Sequence, residues 1–368
     1  MYALLILIAC KGTMTIDTTD STPNDSSPPL PDVAAVELVQ LDDDRYAPPV
    51  FVGGELLLHD AVRGVLVALD PEALPERWPW QYNLRSVQVA AASRPRMEYL
   101  DGVGLWIGGD PLDDGADATL IDPASFAVLR TVPGGGADAA MVGGVLQTAY
   151  PGVWRLHDRI NEPGRLETVG ADGSLTVSDP ELCGAIGSHC GKSMAVLRGS
   201  LWWSDWQGGL YHAGAALHLE DGVLVNGAPA FVAGEAAKSN RTNVAALDDD
   251  RLFVGGVIDC GAILDTTTGA QTPYSAMDGC GFSAVEGESY HGSRVRVVSL
   301  DLALGGGGYG ALRVEWLDGV HAGEVQVVTL PFVDEAYSCW PMAAMGPRGL
   351  LAVTCDGGRG LFVGRVTG

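Results

Sequence analysis

A single unit recurs along this chain: a short apolar strand, a Gly/Asp turn and a second apolar strand. It reads PVFVGGELLLHD, EYLDGVGLWIGG, AAMVGGVLQTAY, MAVLRGSLWWSD, VAALDDDRLFVGG and MAAMGPRGLLAVT. The second strand begins near Glu55, Val103, Val145, Ser200, Arg251 and Leu350. The step from Arg251 to Leu350 is about twice the others, so a degenerate copy is expected between them, and RVRVVSLDLALGGGG over 294–308 fits. One such hairpin cannot bury its own apolar face. Stacked copies can, so a repeat of this kind dictates the architecture of the whole domain.

Several copies continue into a third and fourth strand. LVALDPEALPERW, ATLIDPASFAVLRTV and AILDTTTGAQTPY each place an apolar strand, an Asp, a turn and another strand. Asp70, Asp122 and Asp265 sit at that turn. A carboxylate there closes the turn by accepting backbone N–H groups two residues on. Four short strands per repeat of about 49 residues, seven times over, is the blade pattern of a β-propeller. The D-x-x-T-G-like turns resemble those of quinoprotein-like and YVTN-like propeller repeats. The expected fold is all-β: a seven-bladed β-propeller over 33–368. Six or eight blades are the alternatives, because 150–190 and 275–300 are irregular. The chain stops at GLFVGRVTG, a third strand without a fourth, while VAAVELVQL (33–41) is a strand ahead of the first complete blade. The N-terminal strand is therefore expected to complete the last blade, which closes the ring and removes a sheet edge.

The first residues, MYALLILIAC, are too short an apolar run to span a bilayer and end in a small residue before Cys10. Leu7-Ile8-Ala9-Cys10 resembles the lipobox of bacterial lipoproteins. That resemblance implies a signal peptide over 1–9 and a lipidated Cys10. It also implies a bacterial cell envelope location in which the lipid alone touches the membrane. Lys11 stands where Asp would favour inner-membrane retention, so the outer membrane or cell surface is expected. No Lys or Arg precedes the apolar run, a departure from the usual signal. Residues 10–32 read as a disordered Thr/Ser/Pro/Asp tether, which spans on the order of 25 Å.

A net charge of −24 argues against nucleic acid and against adhesion to anionic headgroups. Mean hydropathy of +0.15 reflects short buried strands, since no later run approaches a span. Besides Cys10 there are six cysteines, an even count that in an exported protein implies disulfides. Cys339 and Cys355 flank one hairpin symmetrically and are expected to pair; Cys183–Cys190 and Cys260–Cys280 are the nearest remaining pairs. No C-x-x-C spacing supports zinc. All six fall where one rim of the ring would lie, at the ends of second strands or ahead of first strands.

The same rim carries the candidate binding residues: Asp110, Asp113, Asp114 and Asp117 in GGDPLDDGAD, His189 in GSHCGKS, Asp205 and Trp206 in WWSDWQGG, and Trp340. Closely spaced Asp residues would suit Ca²⁺, although the order of a known calcium loop is absent. Trp beside Asp could stack on a sugar or grip a peptide. Trp202 and Trp203 alternate faces, so at least one belongs to the core. Asp42-Asp43-Asp44 and Asp248-Asp249-Asp250 read as turns. GSHCGKS has three residues where a P-loop needs four, and no G-x-S-x-G, H-E-x-x-H or G-x-G-x-x-G is present. The first strands read small and apolar, without convergent acids. The sequence therefore favours a monomeric module that binds a protein or glycan. The alternative is a propeller enzyme, either a metal-dependent hydrolase or lactonase or a quinoprotein dehydrogenase.

Overall fold

The structure, a computed structural model, describes residues 32–368 except 75–77, 79–82, 90–94, 110–116, 137, 151–152, 155–160, 163–164, 180–189, 206–209, 214–217, 221–222, 226–229, 232–242, 256–260, 274, 277–278, 302–309, 331–339 and 357–358. Residues 32–368 form one compact unit. Among the described residues there is no α-helix; six sheets have four strands and one has five.

The first sheet runs Val50–Val52, Glu55–Asp60, Val65–Leu69, Arg85–Gln88, and the second Pro95–Leu100, Gly104–Gly109, Ala118–Ile121, Val128–Val132. The third runs Asp138–Val142, Val145–Tyr150, Arg165–Val169, Leu175–Asp179, and the fourth Cys190–Leu197, Ser200–Asp205, Leu210–Ala213, Ala230–Phe231. The fifth runs Asn243–Ala246, Arg251–Gly255, Ala262–Asp265, Gln271–Pro273. In the sixth, Gly279–Glu288, Arg294–Asp301, Gly310–Trp316 and Val325–Thr329 are joined by the short strand Ser275–Ala276. The seventh runs Trp340–Met345, Leu350–Asp356, Leu361–Thr367, and its fourth strand is the N-terminal Ala35–Asp42. The first six sheets are antiparallel meanders in chain order, and the seventh is antiparallel throughout. The second strands start at Glu55, Gly104, Val145, Ser200, Arg251, Arg294 and Leu350, and the degenerate copy supplies Arg294.

The fold is a β-propeller. The inner strand of each sheet contacts the inner strand of the next, and Trp340–Met345 contacts Val50–Val52 in turn. Ala35–Asp42 pairs antiparallel with Leu361–Thr367, with Val36 opposite Val366 and Val39 opposite Val363. Around that pairing, Trp316 is 1% exposed and donates its indole N–H to the Thr367 carbonyl at 2.8 Å. Gln326 accepts the Val36 N–H at 3.0 Å. His321 bridges Asp32 (3.2 Å) and Glu324 (2.9 Å) where the described chain begins.

The core lies between sheets. Leu56 and Leu58 of the first sheet face the seventh, with Ala352, Leu361 and Val363, while Leu57 faces the second, with Met97, Leu105 and Ile107. Alternate side chains of a middle strand thus enter two different cores. The same rule buries both Trp202, against Val244 and Leu252 of the fifth sheet, and Trp203, against Ala140 and Leu166 of the third.

The expected turns form. Asp70 accepts the Glu72 N–H at 3.0 Å, Asp122 the Ala124 N–H at 3.2 Å, and Asp265 the N–H groups of Thr267 and Thr268 at 2.9 and 2.8 Å. Asp248 likewise accepts from Asp250 and Arg251 at 2.9 and 2.8 Å.

Candidate functional site

The two edges of the sheets differ. Turns joining first to second strands are tight, such as Gly53-Gly54, Gly143-Gly144 and Arg198-Gly199, while the third-to-fourth connections on the same edge include two long ones, Leu69 to Arg85 and Ala213 to Ala230. Connections on the other edge, from second to third strands and from one sheet to the next, are longer, as between Tyr150 and Arg165, Asp179 and Cys190, Phe231 and Asn243, and Thr329 and Trp340. Long loops on a rigid scaffold are where binding groups concentrate.

Polar groups of the inner strands meet near this longer-looped edge. Asp138 accepts the Met194 N–H from the fourth sheet at 2.8 Å. Ser193 donates to the Val244 carbonyl at 3.0 Å and accepts the Val244 N–H at 3.1 Å. Asn243 donates to the Phe282 carbonyl at 3.2 Å. Phe282 stacks on Trp340, ring centroids 6.2 Å apart. These contacts link the third, fourth, fifth, sixth and seventh sheets in order.

Glu98, from the inner strand of the second sheet, faces Asp138 electrostatically. Water reaches the Glu98 side chain, but the surrounding protein strips much of its hydration. Desolvation, then the charge of Asp138, pushes its carboxyl up to about 8, and Arg96 opposes the shift. Desolvation pushes Asp138 up to about 6, against the Met194 N–H and the charge of Arg96. Two carboxyls from adjacent inner strands therefore share one environment, and one can hold a proton where the other is ionised. This corrects the expectation of first strands without convergent acids. Glu98 lies in EYLDGVGLW, whose other strand residues read as core, and Asp138 is forty positions further along the chain; no local spacing announces their meeting. The arrangement is suited to binding a cationic or hydrogen-bonding group or to moving a proton. As a metal site it is compromised, because both Asp138 oxygens accept backbone N–H groups (Ala139 at 3.0 Å, Met194 at 2.8 Å) and Arg96 adds positive charge.

Asp42, Asp43 and Asp44 bring three carboxylates within 4.8 Å. Asp42 is already committed: it accepts the N–H groups of Asp43 (2.7 Å) and Asp44 (3.1 Å) and the Tyr46 hydroxyl (2.9 Å), and Asp44 pairs with Arg63 at 2.8 Å. The run is a turn.

Of the sequence candidates, Asp117 is exposed and accepts the Gly134 N–H at 3.3 Å, joining two connections of the longer-looped edge. Trp340 is half-buried and opens its strand against Phe282. Asp205 ends a second strand, its backbone paired with Cys190. Asp110, Asp113, Asp114, His189 and Trp206 lie outside the described residues, as do Cys10, Cys183, Cys260 and Cys339. Cys190 and Cys280 open inner strands, and Cys355 lies near the end of a second strand, so these three backbones share one edge. Cys355 is 3% exposed and disulfide-bonded. The hairpin register sets Pro341 directly opposite Cys355. The position of Cys339, the expected partner of Cys355, lies outside the described residues.

No protein-family model matches the chain, and no curated protein matches it. Solved structures do. Virginiamycin B lyase from Staphylococcus aureus superposes with a TM-score of 0.58 at 8% identity, covering 91% of this chain and 99% of the lyase. The Cps50 (Swd1) β-propeller domain of Myceliophteria thermophila gives 0.58 at 12% identity, covering 90% and 100%. The computationally designed protein Ika8 gives 0.52 at 11% identity, covering 90% and 100%. At these identities the likeness establishes the class alone, a β-propeller.

Proposed function

We propose that this chain is a lipid-anchored extracytoplasmic module that binds a protein or glycan through the longer-looped edge of a seven-bladed propeller. In this reading the five-stranded sheet is the sixth blade, and Ala35–Asp42 closes the ring as the outer strand of the last. The signal peptide is 1–9, Cys10 carries the acyl chains, and 11–32 lifts the domain off a bacterial outer membrane or cell surface. Disulfides Cys339–Cys355, Cys183–Cys190 and Cys260–Cys280 brace the acting edge. The observation that carries the reading is the group of long connections on one edge, Tyr150 to Arg165, Asp179 to Cys190, Phe231 to Asn243 and Thr329 to Trp340. The inner-strand polar groups point the same way: Asp138, Ser193 and Asn243 are committed to neighbouring backbones.

The anchor is tested by labelling a bacterial expression host with radioactive palmitate. Wild type should incorporate label and sediment with membranes, and Cys10→Ala should do neither. Binding is tested by screening the domain against envelope glycans and detergent-solubilised envelope proteins. A saturable ligand lost in Trp340→Ala supports the module. The second reading, a propeller enzyme, is favoured by the Glu98–Asp138 pair alone, a proton donor beside a group that ionises at lower pH. Turnover of an ester or glycoside that is lost in Glu98→Gln would select it.

A further inference from the structure

A cleft of about 180 Å³ opens where the seventh sheet meets the first, toward the tight-turn edge. Its walls are Phe51, Leu56, Leu350, Val363 and the half-exposed Val39 of the N-terminal strand. Phe51 lies flat on Gly346, where a Cβ would meet its ring at 2.5 Å. Three charged residues border the cleft: Glu37, Glu72 and Arg365. Two are committed elsewhere. Glu72 pairs with Arg365 at 2.5 Å and faces Arg348 at 3.6 Å. Arg365 also donates to the Arg348 carbonyl at 3.1 Å, and its guanidinium sits 5.1 Å over the Tyr290 ring. Glu37 is directly across the ladder from Arg365, yet among the described residues no hydrogen bond or ion pair reaches its carboxylate.

We propose that this cleft binds a small molecule with an apolar or aromatic body and a cationic head, an arylalkyl amine in chemical class, with Glu37 receiving the charge. Apolar walls with a few polar groups to fix orientation are the usual build of a small-molecule site. Water against such walls makes few hydrogen bonds, so an apolar body that displaces it gains affinity. The sign of the head follows from which charge is free. An anion would have to displace Glu72 from Arg365, whereas a cation meets the exposed Glu37 carboxylate, which pairs with no group among the described residues. The inference is independent of the proposed ligand edge, since the cleft lies on the other side of the sheets.

The test titrates the full chain with phenethylamine, phenethyl alcohol and phenylacetate, which share a ring and differ in charge, followed by calorimetry or saturation-transfer NMR. Phenethylamine is expected to saturate with a Kd of about 1 mM, the alcohol more weakly, and phenylacetate at least about tenfold more weakly. Glu37→Gln should weaken the amine by up to about fivefold, the worth of an exposed ion pair. Val39→Trp, on an outer strand where the fold tolerates change, should fill the cleft and abolish binding. The proposal is overturned if phenylacetate binds as well as the amine, if the amine does not saturate by about 20 mM, or if either variant binds like wild type.

Discussion

Glu286 is the charge on which the joint between the fifth and sixth sheets turns. Its carboxylate takes Arg296 at 2.6 Å, Arg294 at 2.9 Å and Arg251 at 3.4 Å. Glu286 and Arg296 are each 8% exposed, against 29% for Arg251 and 52% for Arg294. Replacing Glu286 by Met leaves three guanidiniums facing one another. Arg251 and Arg294 can turn to water. Arg296 cannot, and among the described residues keeps only Glu315 at 3.3 Å. Breaking a buried pair typically costs about 3–5 kcal/mol; with two of three partners able to rehydrate, about 2–3 kcal/mol is expected here. An unfolding entropy of about 2.1 cal/mol/K per residue over roughly 330 residues gives about 0.7 kcal/mol per degree, so the melting temperature should fall by about 3–4 °C. Thermal unfolding followed by circular dichroism reads this. The double variant Glu286→Met/Arg296→Met should recover part of the loss, because removing both charges restores an apolar contact. A single variant melting within about 1 °C of wild type, or a double variant no more stable than Glu286→Met alone, would refute the reasoning.

Gly364→Ala would place a Cβ 1.7 Å from the Glu37 carbonyl oxygen; it should prise Ala35–Asp42 from Leu361–Thr367, seen as faster amide exchange in 35–42 with the second and third sheets unchanged. Asp265 is held below the usual carboxylate range, first by the Thr268 N–H, so its stabilisation is present above the unfolded value and fades as pH falls through the lower folded one. Asp265→Asn should make the decline of melting temperature below pH about 4 shallower than in wild type. For Glu98 the sign reverses. Its folded value is raised to about 8, so its contribution is full below the unfolded value and is lost as pH rises through the folded one. Melting temperature should fall for wild type between pH about 5 and 8, and less for Glu98→Gln.

Much of the scaffold was legible because propeller hairpins are local. Tight turns such as Gly53-Gly54 and Gly143-Gly144 fix where second strands begin, and the Asp turns report third strands through hydrogen bonds a few residues long. Even the pairing of Ala35–Asp42 with the last strand, long in sequence, was readable from a surplus strand at one end and a missing one at the other. What was not legible is set between sheets. Trp202 and Trp203 are both core because a middle strand here has no solvent face, unlike the one-sided sheet that alternation usually signals. The Glu98–Asp138 encounter depends on how neighbouring inner strands converge. The register of the last hairpin depends on turn length: Pro347–Gly349 folds as a 3₁₀ turn with Arg348 at φ 55°, which sets Pro341 opposite Cys355.

Site-specific photocrosslinking in envelope extract tests the ligand edge most directly. A benzophenone side chain would replace exposed residues of the longer-looped edge, Asp43 and Pro133, and of the tight-turn edge, Asp101 and Asp249. The expected result is a discrete adduct from Asp43 or Pro133 and none from Asp101 or Asp249. Adducts from the tight-turn edge alone, or equally from both edges, would contradict the assignment.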